Sequence, residues 1–113
     1  KDGKPAAEIA QAGLQGQAEI AKQALAVLAS IYGAEAGNLA LKALSLDGVY
    51  VGGGIAPKLI AKLQDGTFMK AFTNKGRYKR LMTHMPVKVI MNQQTALLGA
   101  ASVAAALSLA PTP

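Results

Sequence analysis

Apolar residues recur at helical spacing over most of this chain, and short β-rich runs interrupt them in only two places. From Gln17 onward, Ile20, Ala24, Val27, Leu28 and Ile31 succeed one another at steps of one, three or four residues, the mark of one amphipathic face. The pattern predicts a helix running to about Tyr32, preceded by a short one over residues 6–14, with Gly33 as its stop or kink. Residues 34–46 continue the helical reading. Their polar positions Glu35, Asn38, Lys42 and Ser45 make one narrow stripe, so this helix is expected to be buried on most of its circumference.

Asp47-Gly48 then signals a turn. Val49-Tyr50-Val51 reads as a strand, assigned to residues 49–52, that empties into Gly52-Gly53-Gly54. Pro57 suits the first turn of a helix to about Leu63, and Asp65-Gly66 breaks it. Phe68 and Phe72 lie one turn apart on a further helix, and Tyr78, Leu81, Met82 and Met85 mark the apolar face of the next. Pro86 stops that helix, residues 87–91 read as a second strand, and Thr95 is placed to cap a final helix over 95–110. The predicted order is helices over 6–46, strand 49–52, helices 57–84, strand 87–91 and helix 95–110. Two parallel strands joined by helices imply an α/β chain with a right-handed crossover. Two strands make a poor sheet by themselves, so an incomplete sheet is the expectation.

Composition narrows the chemistry. Of 113 residues, 51% are hydrophobic, which is too many for a disordered chain. There is no Cys and a single His, His84, so a disulfide framework, a thiolate nucleophile and a zinc cage are excluded. No acidic residue comes after Asp65, which leaves a catalytic triad without its carboxylate. Residues 1–65 carry balanced charge, and the net +6 resides in Lys70, Lys75, Arg77, Lys79, Arg80 and Lys88. The most apolar run, residues 96–110, is too short to span a bilayer and reads as a buried core helix, so no membrane partner is expected. The absence of Cys favours a reducing cytoplasm. A polar start without Met points to a domain of a longer polypeptide.

Four features are candidates for function. A strand that runs into consecutive glycines ahead of a helix lets backbone approach a ligand at the carboxyl end of a sheet, with the helix N-terminus offering free N–H groups. The plain alternative is a tight turn without a ligand. The basic segment with Phe68, Phe72 and Tyr78 interleaved has the composition of a nucleic-acid patch. Those aromatics fall at core positions, however, which leaves Lys75, Lys79 and Arg80 as a solvated face and argues against nucleic acid. His84, beside Pro86 at a helix end, and Asn38, on the polar stripe, have bland readings as surface residues.

Residues 37–41, 48–58, 72–78, 86–87 and 97–101, containing Gly-Asn-Leu-Ala-Leu, Gly-Val-Tyr-Val-Gly-Gly-Gly-Ile-Ala-Pro-Lys, Phe-Thr-Asn-Lys-Gly-Arg-Tyr, Pro-Val and Leu-Leu-Gly-Ala-Ala, resemble the C-terminal part of bacterial ATP-dependent glucokinases. The resemblance implies the actin-like ATPase fold, a parent enzyme that transfers the γ-phosphoryl of ATP to glucose with Mg²⁺, and a homodimer as one open state of that parent. It implies nucleotide binding at Gly52, Gly53, Gly54 and Pro57, with Asn38 and Lys58 as further candidates. Gly52 stands where Ala is common in the family, Lys58 where Arg is, Asn74 where Asp is, and Asn92 where His is frequent. The sugar-binding residues, catalytic Asp and phosphate loop of the family match no block here, so this chain alone is expected to be inactive. The other readings are a sugar-responsive repressor related to these kinases and a basic nucleic-acid-binding module.

Overall fold

One helix of 25 residues occupies the region where the sequence predicts a break at Gly33. The computed structural model describes residues 5–15 and 18–109. Within them, α1 (Pro5–Gln15) is followed by α2 (Glu19–Ala43), which runs unbroken through Gly33 and Gly37. Both glycines are buried, and an added Cβ would collide with the backbone carbonyl of Phe68 at 33 and that of Phe72 at 37. A helical Gly costs about 1 kcal/mol relative to Ala, which close approach of a neighbouring helix offsets. The predicted start at Gln17 lies outside the described residues.

The face that α2 buries also differs from expectation. Ala21, Leu25, Ala29, Gly33, Gly37 and Ala40 are inside, whereas Ile20, Ala24, Val27, Leu28 and Ile31 are exposed. Residues 34–43 are covered along that one stripe and not around most of the circumference. The helix ends where Leu44 turns left-handed (φ 52°) and the Ser45 N–H donates to the Ala40 carbonyl at 3.0 Å. By length and composition α2 would be able to cross a membrane, but its small-residue stripe is packed on other helices of the fold.

After Gly48, β1 (Val49–Val51) pairs in parallel with β2 (Val87–Val89), in the register Val49–Val87, Tyr50–Lys88 and Val51–Val89. Between them lie a 3₁₀ turn (Ala56–Leu59), α3 (Ile60–Leu63), α4 (Thr67–Thr73), a second 3₁₀ turn (Gly76–Tyr78) and α5 (Lys79–Thr83). The helix expected from Pro57 to Leu63 is therefore one 3₁₀ turn and one α-turn. The Lys58 and Leu59 N–H groups are already used by the Ile55 carbonyl, at 3.0 and 3.2 Å, so this short element offers no anion-binding terminus. Asp65 begins α4 instead. Its Oδ1 accepts the Thr67 N–H at 2.9 Å and its Oδ2 pairs with the Lys62 Nζ at 2.8 Å. The hydrogen bond from Lys62 and then that from Thr67 lower its pKa to about 2.

Phe68 and Phe72 stack at 6.2 Å beneath α2, and Tyr32 meets Phe68 edge-on at 5.6 Å. Burial pushes the Tyr32 hydroxyl pKa upward. Met82 and Met85 close the core with Ala56, Leu59 and Leu63. Tyr78 is a correction. It lies outside the core, where the Arg77 guanidinium sits 4.9 Å over its ring and donates to its hydroxyl at 2.9 Å.

The larger correction is α6 (Thr95–Leu109), which the sequence predicts as a core helix and which has no buried residue. Ala110 lies outside the described residues. Thr95 sits inside this helix instead of capping it, and its Oγ1 donates to the Asn92 carbonyl at 2.6 Å. The chain is open in shape: its radius of gyration is 17.7 Å, against about 13 Å for a compact domain of this length.

Candidate functional site

Val51 carries the chain out of β1, and Ile90 anchors the partner strand by donating its N–H to the Val51 carbonyl at 2.9 Å. Both strands thus end at the same level, and the two segments leaving them meet there. Gly53 takes φ 106°, a conformation that a side chain strains, and neither it nor Gly54 has an atom within 4 Å of an added Cβ. At Gly52 a Cβ would touch Ile90 Cδ1 at 3.3 Å, so the turn hugs the second strand on one side and is open on the other. After β2, the Asn92 side chain accepts the Gln94 N–H at 2.9 Å, and the Thr95 N–H donates to the Asn92 carbonyl at 3.2 Å. This Asx turn starts α6 beside the glycines.

The result is a cleft of about 330 Å³ lined by Gly52–Gly54, Ile90, Asn92, Gln93, Thr95 and Ala96. None of these residues is ionisable. The cleft offers apolar contact from Ile90, backbone polar groups, and the amide and hydroxyl groups of Asn92, Gln93 and Thr95. Such a surface can hold a flat polar ring and its hydroxyls. It holds no group able to act as a general base or to place charge on a reacting phosphoryl.

Of the residues predicted from sequence, Gly52, Gly53 and Gly54 come together here, whereas Pro57 and Lys58 do not line the cleft. Asn38 lies elsewhere: its Oδ1 accepts a 2.5 Å hydrogen bond from Lys75 Nζ, which also donates to the Ala34 carbonyl at 3.0 Å. Lys75 is thereby part of the α2–α4 crossing and not of a solvated face. Asn92, Gln93 and Thr95 escaped sequence reasoning as ligand contacts, because they come some 40 positions after the glycines and only strand pairing brings them near. Their one signal was the strand end at Pro86–Met91. Phe68 and Phe72 are buried, and the Arg77 guanidinium sits over the ring of Tyr78, the exposed aromatic of the basic segment. Among the described residues no group of three His, Asp or Glu could hold a metal.

The family model described as Glucokinase matches residues 1–107. A glucokinase of Synechocystis sp. is 51% identical over 100 residues, spanning 88% of this chain and 28% of that protein. The glucokinase of Nostoc sp. is 47% identical over 103 residues, 91% of this chain and 30% of its own length. In three dimensions the chain is similar to the crystal structure of glucokinase from an Antarctic psychrotroph, with a TM-score of 0.77 and 29% identity over 91% of this chain and 32% of that one. The chain is thus an α/β unit of the actin-like kinase fold. It belongs to the glucokinase family, and it spans under a third of the length of these relatives.

Proposed function

We propose that the chain is the C-terminal, nucleotide-side segment of a cytoplasmic enzyme that transfers the γ-phosphoryl of ATP to glucose, and that by itself it is inactive. The observation that supports this most directly is the uncharged cleft beneath Gly52–Gly54, at the carboxyl end of a parallel strand pair in a glucokinase-family chain. Ligands of open α/β sheets lie at such strand ends. In this reading the nucleoside rests on the Gly53–Gly54 backbone. Asn92, Gln93 and Thr95 meet its polar edge, while Ile90 provides the floor. The residues of the cleft do not suit Mg²⁺, which prefers carboxylate and phosphate oxygens; the metal and the sugar base belong to groups outside it. Pro57 acts indirectly, by setting the turn after the glycines.

The test uses a hybrid in which this chain replaces the matched segment of the Synechocystis sp. enzyme. Gly53→Val puts a branched side chain on a left-handed residue of the cleft lining. It should raise KM for ATP by about 5- to 150-fold, the equivalent of 1–3 kcal/mol, with kcat and glucose binding nearly unchanged because the nucleoside is remote from the reacting phosphorus. Equal losses for both substrates would reduce Gly53 to a folding glycine. An inactive unsubstituted hybrid would remove the kinase reading altogether.

A further inference from the structure

The Lys75 ammonium is held in place without a counter-charge. Its Nζ donates to the Ala34 carbonyl and to Asn38 Oδ1, both neutral acceptors, and the residue is partly buried against α2. Gly37 makes room for this reach, since a Cβ there would meet Lys75 Cε at 2.8 Å. An ammonium has three N–H donors, so one remains for a ligand. Among the described residues the one ion pair is Lys62–Asp65, which leaves Lys70 and Lys75 without a carboxylate. Both line a cleft of about 460 Å³ between α2 and α4, together with Ser30 of α2 and with Thr67 and Asn74 at the two ends of α4. No acidic residue lines it. Glu35 belongs to a different groove, on the opposite flank of α2, and Asp65 is engaged by Lys62 and the Thr67 N–H. Arg77, Lys79 and Arg80 follow in the chain with no acid after Asp65, so the field around the cleft is positive.

We propose that this cleft binds a small oxyanion with two or more negative charges, either an inorganic phosphate species or the phosphoryl group of a metabolite. The Lys70 and Lys75 ammoniums supply the charge, and the Ser30 and Thr67 hydroxyls and the Asn74 amide supply donors for the remaining oxygens. The anion relieves the repulsion between two ammoniums that share one cleft, a repulsion that partial burial leaves less screened than on an open surface. Because Ser30 belongs to α2 and the other groups to α4 and its ends, the anion also bridges the two helices at their crossing. The site is separate from the glycine cleft, whose lining is uncharged and shares no residue with it. It goes beyond the kinase reading and does not depend on it.

Pyrophosphate, inorganic phosphate and glucose 6-phosphate are titrated by calorimetry into the 113-residue chain at physiological ionic strength. Pyrophosphate should bind at a single site, and the urea midpoint should rise with its concentration, because the site exists only in the folded chain. Lys70→Met and Lys75→Met should each weaken this binding about tenfold or more, and Ser30→Ala about two- to fivefold. Lys79→Gln combined with Arg80→Gln should change it by less than about twofold. Glucose 6-phosphate binding more tightly than inorganic phosphate upholds the site as one for a phosphate ester, and the reverse order upholds it as one for the inorganic ion. Absence of binding at millimolar pyrophosphate overturns the proposal. So does an equal loss on replacing Lys79 and Arg80, which would show a diffuse basic face, and so does a loss caused by Gly53→Val, which would put the anion in the glycine cleft. If Lys75→Met does not fold, Lys70→Met and Ser30→Ala decide, since neither side chain makes a hydrogen bond among the described residues.

Discussion

Two stretches rich in small and aliphatic residues meet opposite fates in this molecule. Where α2 crosses α4, Gly33 and Gly37 let the helices approach until backbone touches backbone, and Phe68 and Phe72 are fully enclosed. In α6, a helix of mostly Ala, Leu, Val and Ser with one Gly and no charge, nothing is buried. Hydrophobicity supplies a tendency to leave water, while burial requires a complementary face. At the crossing that face is supplied by shape. Small residues on one helix admit the backbone of the other, and Lys75 ties the two by reaching back to Ala34 and Asn38.

The sharpest way to break this contrast is a pair of truncations. Phe72→Ala should cost about 3–5 kcal/mol, as a fully buried ring is lost, whereas Leu107→Ala on α6 should change stability by no more than about 0.5 kcal/mol. Urea midpoints of the two variants check this, and equal losses would show that α6 is packed in solution. Next in size is one substitution with opposite signs. Gly33→Ala should destabilise by about 1–3 kcal/mol, since the methyl meets the Phe68 carbonyl. Gly99→Ala, with open space around it, should stabilise by about 0.5–1 kcal/mol. Thermal melts that move the same way for both would refute the close approach.

Smaller effects separate the cations. Lys75→Met removes two hydrogen bonds at the crossing and should cost about 0.5–1.5 kcal/mol, while Lys79→Gln with Arg80→Gln should stay within about 0.5 kcal/mol. A measured loss confined to Lys75, by chemical denaturation, would separate it from the solvated face in which its sequence neighbours lie. The smallest effect belongs to Asp65. Its folded pKa of about 2 lies below the ordinary 3.8, so its contribution is present above the ordinary value and fades as pH falls through about 2. Exposure and screening keep it modest. Melting of the Asp65→Asn variant should therefore fall slightly below that of the unsubstituted chain at pH 6, with the gap narrowing towards pH 2.

The range of each interaction determines whether it is legible in the sequence. Asp47-Gly48, the Gly52–Gly54 turn, Asp65-Gly66, the two short strands and the buried Phe68–Phe72 pair are announced by local backbone preference or one-turn spacing, and the structure has them near their expected places. Gly33 misled because its local cost is real, yet the gain that offsets it comes from α4, some 35 positions later. The same distance hid Lys75 from Asn38. It also hid the cleft, where Asn92, Gln93 and Thr95 join the glycines only because β1 and β2 pair in parallel.

By itself the sequence determined the α/β order of elements, the glycine exit from β1 and, through blocks in register, the glucokinase family. Only the tertiary structure decided that α2 is one helix, that its small stripe and not its large aliphatic one faces inward, and that α6 has no buried face. The physical reason is that local conformational preference is written in adjacent residues, whereas burial depends on which distant surface arrives. Two helices can be equally apolar, and the one that meets a fitting backbone becomes core.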